Sequence, residues 1–180
     1  KRGLEYLFRM VKETEIPATQ VIPTHTSRNQ RLFEQALEWL KIGGFIDLTT
    51  GPEPVDKGEI SVRDGLKLIK EAHLSLNQVT VSSDSNGSLP VFNEKGELMG
   101  LTVANQRDFL KTFQHIWREN ILTRQETIQV FSTNAANFYK LPGKGKVQAG
   151  FEAALLAINE SAELQYVCSR GKALLEHGQL

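Results

Sequence analysis

Cysteine is almost missing from this chain. Cys168 is the single one among 180 residues, so neither an internal disulfide framework nor a cysteine-only zinc site can be built. A reducing, cytoplasmic setting is the simplest expectation. Charge of one sign is missing too: 21 Lys and Arg balance 21 Asp and Glu, and no overall field draws the chain toward nucleic acid or an anionic membrane. No run approaches the roughly 20 apolar residues of a membrane helix, and the opening KRGLEYLFRMVKE is amphipathic without a signal-peptide core. What is present is ordinary for a globular domain: 40% hydrophobic and 23% charged residues argue against a disordered, collagen-like or coiled-coil chain. At this length about 70% of the unfolded surface can be buried. The first residue is Lys1 rather than Met, which points to a processed, truncated or partial chain.

Periodicity divides the sequence into alternating elements. Leu4, Leu7, Phe8 and Val11 recur at helical spacing over 1–16, and Pro17 closes that helix. QVIPTH (20–25) is a β-like run, although Pro23 removes a ladder donor. A helix over 30–42 stops at Gly43-Gly44, and FIDLTT (45–50) is a strand. GPEPVDKGE (51–59) is a loop on its proline and glycine content. Ser61 caps a helix over 62–73 with Asp64 in its first turn, and QVTVSSD (78–84) is the third strand. A long loop over 85–100 contains a hairpin turn at NEKGEL. Helices follow at 105–118 and 123–139, the second opened by Thr123 and Glu126 as a capping box. From 143 onward short glycine-punctuated strands replace helical periodicity. The alternation up to 139 predicts an α/β fold with a parallel sheet wrapped by helices. Strand ends at His25, Thr50 and Asp84 are spaced close to the roughly 31 residues per unit of a (β/α)₈ barrel, a spacing that any open α/β sheet also fits.

Ligands in such folds gather at the carboxyl ends of the strands. Here those ends carry THTSRN (24–29), TTGPEP (49–54) and SSDSNGS (82–88). His25 alone reads as a histidine bonded to a backbone group, Asp84 alone as a turn carboxylate, and Arg28 alone as a solvated surface arginine. Together at neighbouring strand ends, imidazole and carboxylate form a common ligand set for a divalent transition metal. His73 ends a helix, His115 and Trp117 take surface and core positions of another, and His177 falls in a terminal strand. Cys168 reads as a small buried apolar group. GKGKVQAG (143–150) lacks the spacing of a phosphate loop, and no Gly-x-Ser-x-Gly elbow occurs.

VIPTHTSRN (21–29), GGFIDLT (43–49), VTVSSDSNGSLPVFNEKG (79–96), NAANFYKLPGKGKVQAG (134–150) and RGK (170–172) together resemble the C-terminal half of bacterial isoaspartyl dipeptidases, β-aspartyl metallopeptidases of the amidohydrolase superfamily. The resemblance covers nearly the whole chain. It implies that 1–142 is the C-terminal part of a (β/α)₈ TIM-type barrel, with 20–25, 45–50 and 78–84 as strands six to eight. Residues 143–180 would be strands of a small β-sandwich domain. It also implies two zinc ions, one held by an N-terminal His-x-His and the strand-eight aspartate, the other by a carboxylated lysine and two histidines. His25 matches the second of those histidines, and Asp84 matches the aspartate, which is also the general base. Arg28 matches an arginine that grips the substrate α-carboxylate, and Ser88 matches a substrate-binding serine. The implied reaction is hydrolysis of a β-aspartyl dipeptide by a metal-activated hydroxide, in a protein that forms homo-oligomers. One departure is Glu152-Ala153-Ala154-Leu155, where the family has an Asp-Ala-Asp-Leu type of stretch.

The ligand set is incomplete. No His-x-His occurs, and no lysine occupies a strand end. The missing groups would lie on strands one to five, in an absent N-terminal half, so this chain alone is expected to be inactive. Two further readings stand beside it: a non-catalytic half-barrel interaction module, and a related amidohydrolase acting on another N-acyl amino acid or a cyclic amide.

Overall fold

The computed structural model describes residues 3–52, 55 and 58–176. Part of the 51–59 loop and His177 therefore lie outside the described residues. The helices are α1 (Glu5–Glu13), α2 (Gln30–Lys41), α3 (Val62–Glu71), α4 (Gln106–Arg118), α5 (Arg124–Ile128) and α6 (Asn134–Phe138). The strands are β1 (Ile46–Thr49), β2 (Val79–Ser82), β3 (Ser88–Phe92), β4 (Leu98–Val103), β5 (Leu155–Ile158), β6 (Leu164–Ser169) and β7 (Lys172–Glu176). β1 and β2 pair in parallel, with Asp47 opposite Thr80 and Thr49 opposite Ser82. β3 and β4 form an antiparallel hairpin, and β5, β6 and β7 an antiparallel three-stranded sheet. The result is a mixed α/β fold with small sheets.

Parallel strands with both faces covered carry apolar residues toward their helices. Ile46 and Leu48 of β1, with Val79 and Val81 of β2, are buried against Phe33, Ala36 and Trp39 of α2 and Leu66 and Ile69 of α3. Gly65 lets α3 approach, since a Cβ there would stand 3.3 Å from Phe33 Cε2. Two-residue alternation sends Asp47, Thr49, Thr80 and Ser82 to the opposite face.

Local signals set several boundaries. Asn29 Oδ1 accepts from Leu32 N–H at the start of α2, and Ser61 Oγ from Asp64 N–H at the start of α3. α2 ends as glycine allows: Gly43 takes a positive φ, its N–H donates to Leu40 O, and Gly44 N–H donates to Trp39 O. A Cβ on Gly44 would overlap the indole of Trp39, which is wholly buried. Gly44→Ala is therefore expected to cost about 1–3 kcal/mol through overpacking, read as a lower urea midpoint at unchanged slope. The capping box forms as expected, with Thr123 N–H donating to Glu126 Oε2 and Glu126 N–H to Thr123 Oγ1. Burial pushes the Glu126 carboxyl up, but the Thr123 bonds and Lys70 outweigh it and hold it below the usual range. The cap's contribution is thus present above the unfolded carboxylate pKa and lost as pH falls through the lowered one.

Four expectations of secondary structure are corrected. Residues 20–25 are not a strand. A 3₁₀ turn occupies Ala18–Gln20, Pro23 has no N–H to give, and His25 leaves the extended region at φ 54. The segment still lies along β1, where Asp47 N–H donates to Pro23 O and Asp47 O accepts from Thr26 N–H. Those partners are three residues apart where a regular parallel ladder has two, so one residue bulges out. The 85–100 loop is instead mostly a hairpin, whose turn is closed by Asn93 Oδ1 accepting from Lys95 and Glu97 N–H. The helix expected over 123–139 is interrupted by a π-helical turn at Gln129–Thr133, after which Asn134 Nδ2 donates to the carbonyls of Leu76 and Val79. GKVQAG is not a strand either, because Gly143, Gly145 and Gly150 take positive φ and Thr133 Oγ1 donates to Gly145 O.

The C-terminal sheet is tied to α4 at one turn. Gln114, Trp117 and Arg118 donate to the carbonyls of Ala162, Glu160 and Ser161 between β5 and β6. Trp117 is half-buried there rather than in the core. Cys168 is buried and its thiol faces Ala153 O at 3.4 Å. Glu152 pairs with Lys144. Phe92, Leu98, Met99, Leu101 and Val103 of the β3–β4 hairpin are exposed. Among the described residues no helix is long and apolar enough to cross a membrane.

Candidate active site

The extended segment beside β1 and the turn after β2 converge at their ends. His25 follows the extended segment beside β1, Asp84 lies two residues beyond β2, and His25 Nε2 stands 3.7 Å from Asp84 Oδ2. That exceeds the roughly 3.2 Å limit of a good hydrogen bond, so the two side chains face each other across a gap. Their side chains are 27% and 37% exposed, which leaves the gap open to a ligand.

Backbone geometry aims both groups. His25 has φ 54, Asp84 φ 45 and Asn86 φ 67, all in the left-handed region that costs an L-residue about 1–2 kcal/mol. Such positions cluster at functional sites when the surroundings over-determine them. Here the determinants are visible. Gly87 N–H donates to Asp84 O at 2.8 Å, closing a turn. Asn86 N–H donates to Ala104 O, and Ala104 N–H to Gly87 O, anchoring that turn to the base of the hairpin. A Cβ on Gly87 would lie 2.8 Å from Asp84 Cγ and Oδ1, so glycine is needed for the carboxylate to sit where it does.

The other two expected residues are near in sequence but unbonded to the pair by their side chains. Arg28 is exposed, its N–H donates to His25 O, and its guanidinium makes no ion pair among the described residues. Ser88 is the exposed first residue of β3, opposite Val103.

Imidazole nitrogen and carboxylate oxygen suit a divalent transition metal, so these residues fit a metal as a partial donor set. A catalytic zinc takes three protein ligands, and among the described residues no group of three or more His, Cys, Asp or Glu could hold a metal ion.

Asp47 stands behind the two arms, bonded to a residue next to His25 and to one near Asp84. It is buried at 7% exposure on the polar face of β1. Its carboxylate accepts from Thr24 and Thr80 Oγ1 at 2.8 Å each and from Ser82 Oγ at 2.6 Å. Its signal in the sequence was the alternation of polar residues in FIDLTT and QVTVSSD.

No family model matches the sequence. Solved structures do. A β-aspartyl dipeptidase from the thermophilic, keratin-degrading Fervidobacterium islandicum AW-1, crystallised with a β-Asp-Leu dipeptide, is 39% identical, with a TM-score of 0.86 over 100% of this chain and 46% of that one. A further crystal structure of β-aspartyl dipeptidase from that source gives 36% identity, a TM-score of 0.80, and coverage of 100% and 44%. N-acetylglucosamine-6-phosphate deacetylase from Thermotoga maritima shares the fold, at 18% identity, a TM-score of 0.52, and coverage of 97% and 56%. The chain thus spans a little under half the length of the dipeptidases it matches, and it corresponds to the C-terminal part of such enzymes.

Proposed function

This chain is related to the β-aspartyl dipeptidases along its whole length, and on that footing we propose that it is the C-terminal part of a zinc-dependent enzyme hydrolysing β-aspartyl dipeptides. Residues 1–142 supply the last strand–helix units of a (β/α)₈ barrel, and 143–180 supply strands of a small β-sandwich. The observation that carries the reading is the 3.7 Å approach of His25, at the end of the segment beside β1, to Asp84 in the turn after β2.

His25 and Asp84 would each hold one of two zinc ions, with the remaining ligands on the N-terminal half. Ions bound there would supply a water of lowered pKa, and so hydroxide near neutral pH. Asp84 is the general base: its carboxylate takes the proton of the attacking water and returns it to the leaving amine. Arg28 grips the free α-carboxylate of the β-aspartyl residue in a forked pair, and Ser88 adds a hydrogen bond to the substrate. The exposure of Arg28 without an ion pair among the described residues supports that role, since a guanidinium already committed would have to be released first. A free Cys168 suits a cytoplasmic enzyme. The exposed apolar hairpin suits burial against the rest of the protein or a second copy.

Arg28→Lys keeps the charge and loses the fork. In the complete enzyme it should lower kcat/KM for β-Asp-Leu by about tenfold or more, the worth of a charged hydrogen bond, mainly by raising KM. An unchanged KM would remove Arg28 from the substrate site. The reading as a whole is tested by assaying the complete protein on β-Asp-Leu against α-Asp-Leu: selective cleavage of the β-linked dipeptide is expected, and absence of cleavage would reject the function. The 180-residue chain alone should cleave neither.

A further inference from the structure

Burying a carboxylate is costly unless it is fully bonded, and Asp47 is bonded on every side. Oδ2 accepts from Thr24 Oγ1 at 2.8 Å and Ser82 Oγ at 2.6 Å, with Thr49 Oγ1 at 3.5 Å. Oδ1 accepts from Thr80 Oγ1 at 2.8 Å. Its backbone carbonyl accepts from Thr26 Oγ1 at 3.0 Å, and its N–H donates to Pro23 O at 3.0 Å. Each of these side-chain donors is a hydroxyl. A lysine or arginine in their place would neutralise the carboxylate. Hydroxyls spend its lone pairs on position, and the bond from Ser82 is short at 2.6 Å.

The donors are placed tellingly. Thr24 immediately precedes His25, and Ser82 ends β2 two residues before Asp84. The segment before His25 has no regular ladder to hold it, because Pro23 lacks an N–H and His25 turns left-handed. One oxygen of Asp47 therefore gathers both arms of the site. We infer that Asp47 is a positioning residue, whose carboxylate draws Thr24 and Ser82 together and so fixes the approach of His25 to Asp84. Its effect on metal and turnover rests on the function proposed above; its effect on the distance between the two side chains rests on the hydrogen bonds alone.

Asp47→Asn in the complete protein tests this with little change of volume. An amide offers one acceptor oxygen and presents a donor to hydroxyls that now donate. Partners standing behind a ligand of this kind are worth about 10- to 100-fold in metal affinity or activity. Zinc affinity, measured by competition with a chromogenic chelator, should fall in that range, and kcat for β-Asp-Leu should fall with it while KM moves less. Thr24→Val and Ser82→Ala should act in the same direction, and Thr24→Ser, which keeps the hydroxyl, should restore the parent affinity. If Asp47→Asn does not fold, the Thr24 pair of variants carries the test unaided. In a crystal structure of metal-free Asp47→Asn or Thr24→Val, His25 Nε2 and Asp84 Oδ2 should part beyond the roughly 4 Å reach of an ion pair. Folded variants with parent zinc affinity, parent kcat and an unaltered separation would overturn the inference, even if their melting temperature fell. Should the wild type neither hold zinc nor cleave the dipeptide, the proposed function fails, and the metal-free separation alone decides whether Asp47 positions the pair.

Discussion

Asp84→Asn is expected to abolish nearly all turnover of β-Asp-Leu by the complete enzyme while leaving its fold in place. The amide has the carboxylate's shape but cannot take a proton from water at neutral pH. General-base catalysis contributes about 10²–10⁴-fold, and loss of an anionic ligand would add to that. The fold should tolerate the change for two reasons. The Asp84 side chain is 37% exposed, so little packing depends on it. Its φ of 45 lies in the region that asparagine also visits. Saturating kinetics with a thermal melt give the answer: full activity in a folded Asp84→Asn protein would reject Asp84 as the base.

A comparable loss should follow from a single added methyl group. Gly87 does not itself need a left-handed backbone, so alanine is free of dihedral strain there. Its Cβ would nevertheless fall 2.8 Å from the Cγ, Oδ1 and carbonyl oxygen of Asp84. Either the carboxylate swings away or the turn opens, because Asn86 and Gly87 are held to Ala104. A displacement of about 1 Å at reacting groups can cost about 10²-fold in rate. Gly87→Ala should therefore lower kcat by about that factor with a far smaller change in melting temperature. A variant with parent kcat would show that the Asp84 position is not critical, and one that only loses stability would assign Gly87 to the scaffold.

Local chemistry was legible in the sequence where one short segment decides the outcome. Gly43-Gly44, Ser61 and the Thr123–Glu126 box each act through neighbours a few residues away, and each does what its chemistry implies. The convergence of His25 and Asp84 was foreseeable because both follow extended segments that run alongside β1 in the same direction. Failures arose where the decision is tertiary. QVIPTH has a strand's composition, but Pro23 and the left-handed His25 deny it a ladder and leave the positioning to Asp47. The π-helical turn before Asn134 answers to two carbonyls far upstream, which no helical periodicity reveals. The hairpin over 88–103 was partly hidden because its apolar residues do not alternate with polar ones: Leu98, Met99 and Leu101 are all exposed. Asp47 could have been found by writing β1 and β2 as two faces, since its partners sit on the polar face of each.

Counting metal is the most direct test of the central claim, that His25 and Asp84 are arms of one two-zinc centre. Elemental analysis of the complete protein should find two zinc ions per chain, and His25→Ala should retain fewer after dialysis against chelator. A complete protein that binds no divalent metal, or a His25→Ala variant that holds both ions as tightly as the parent, would contradict it.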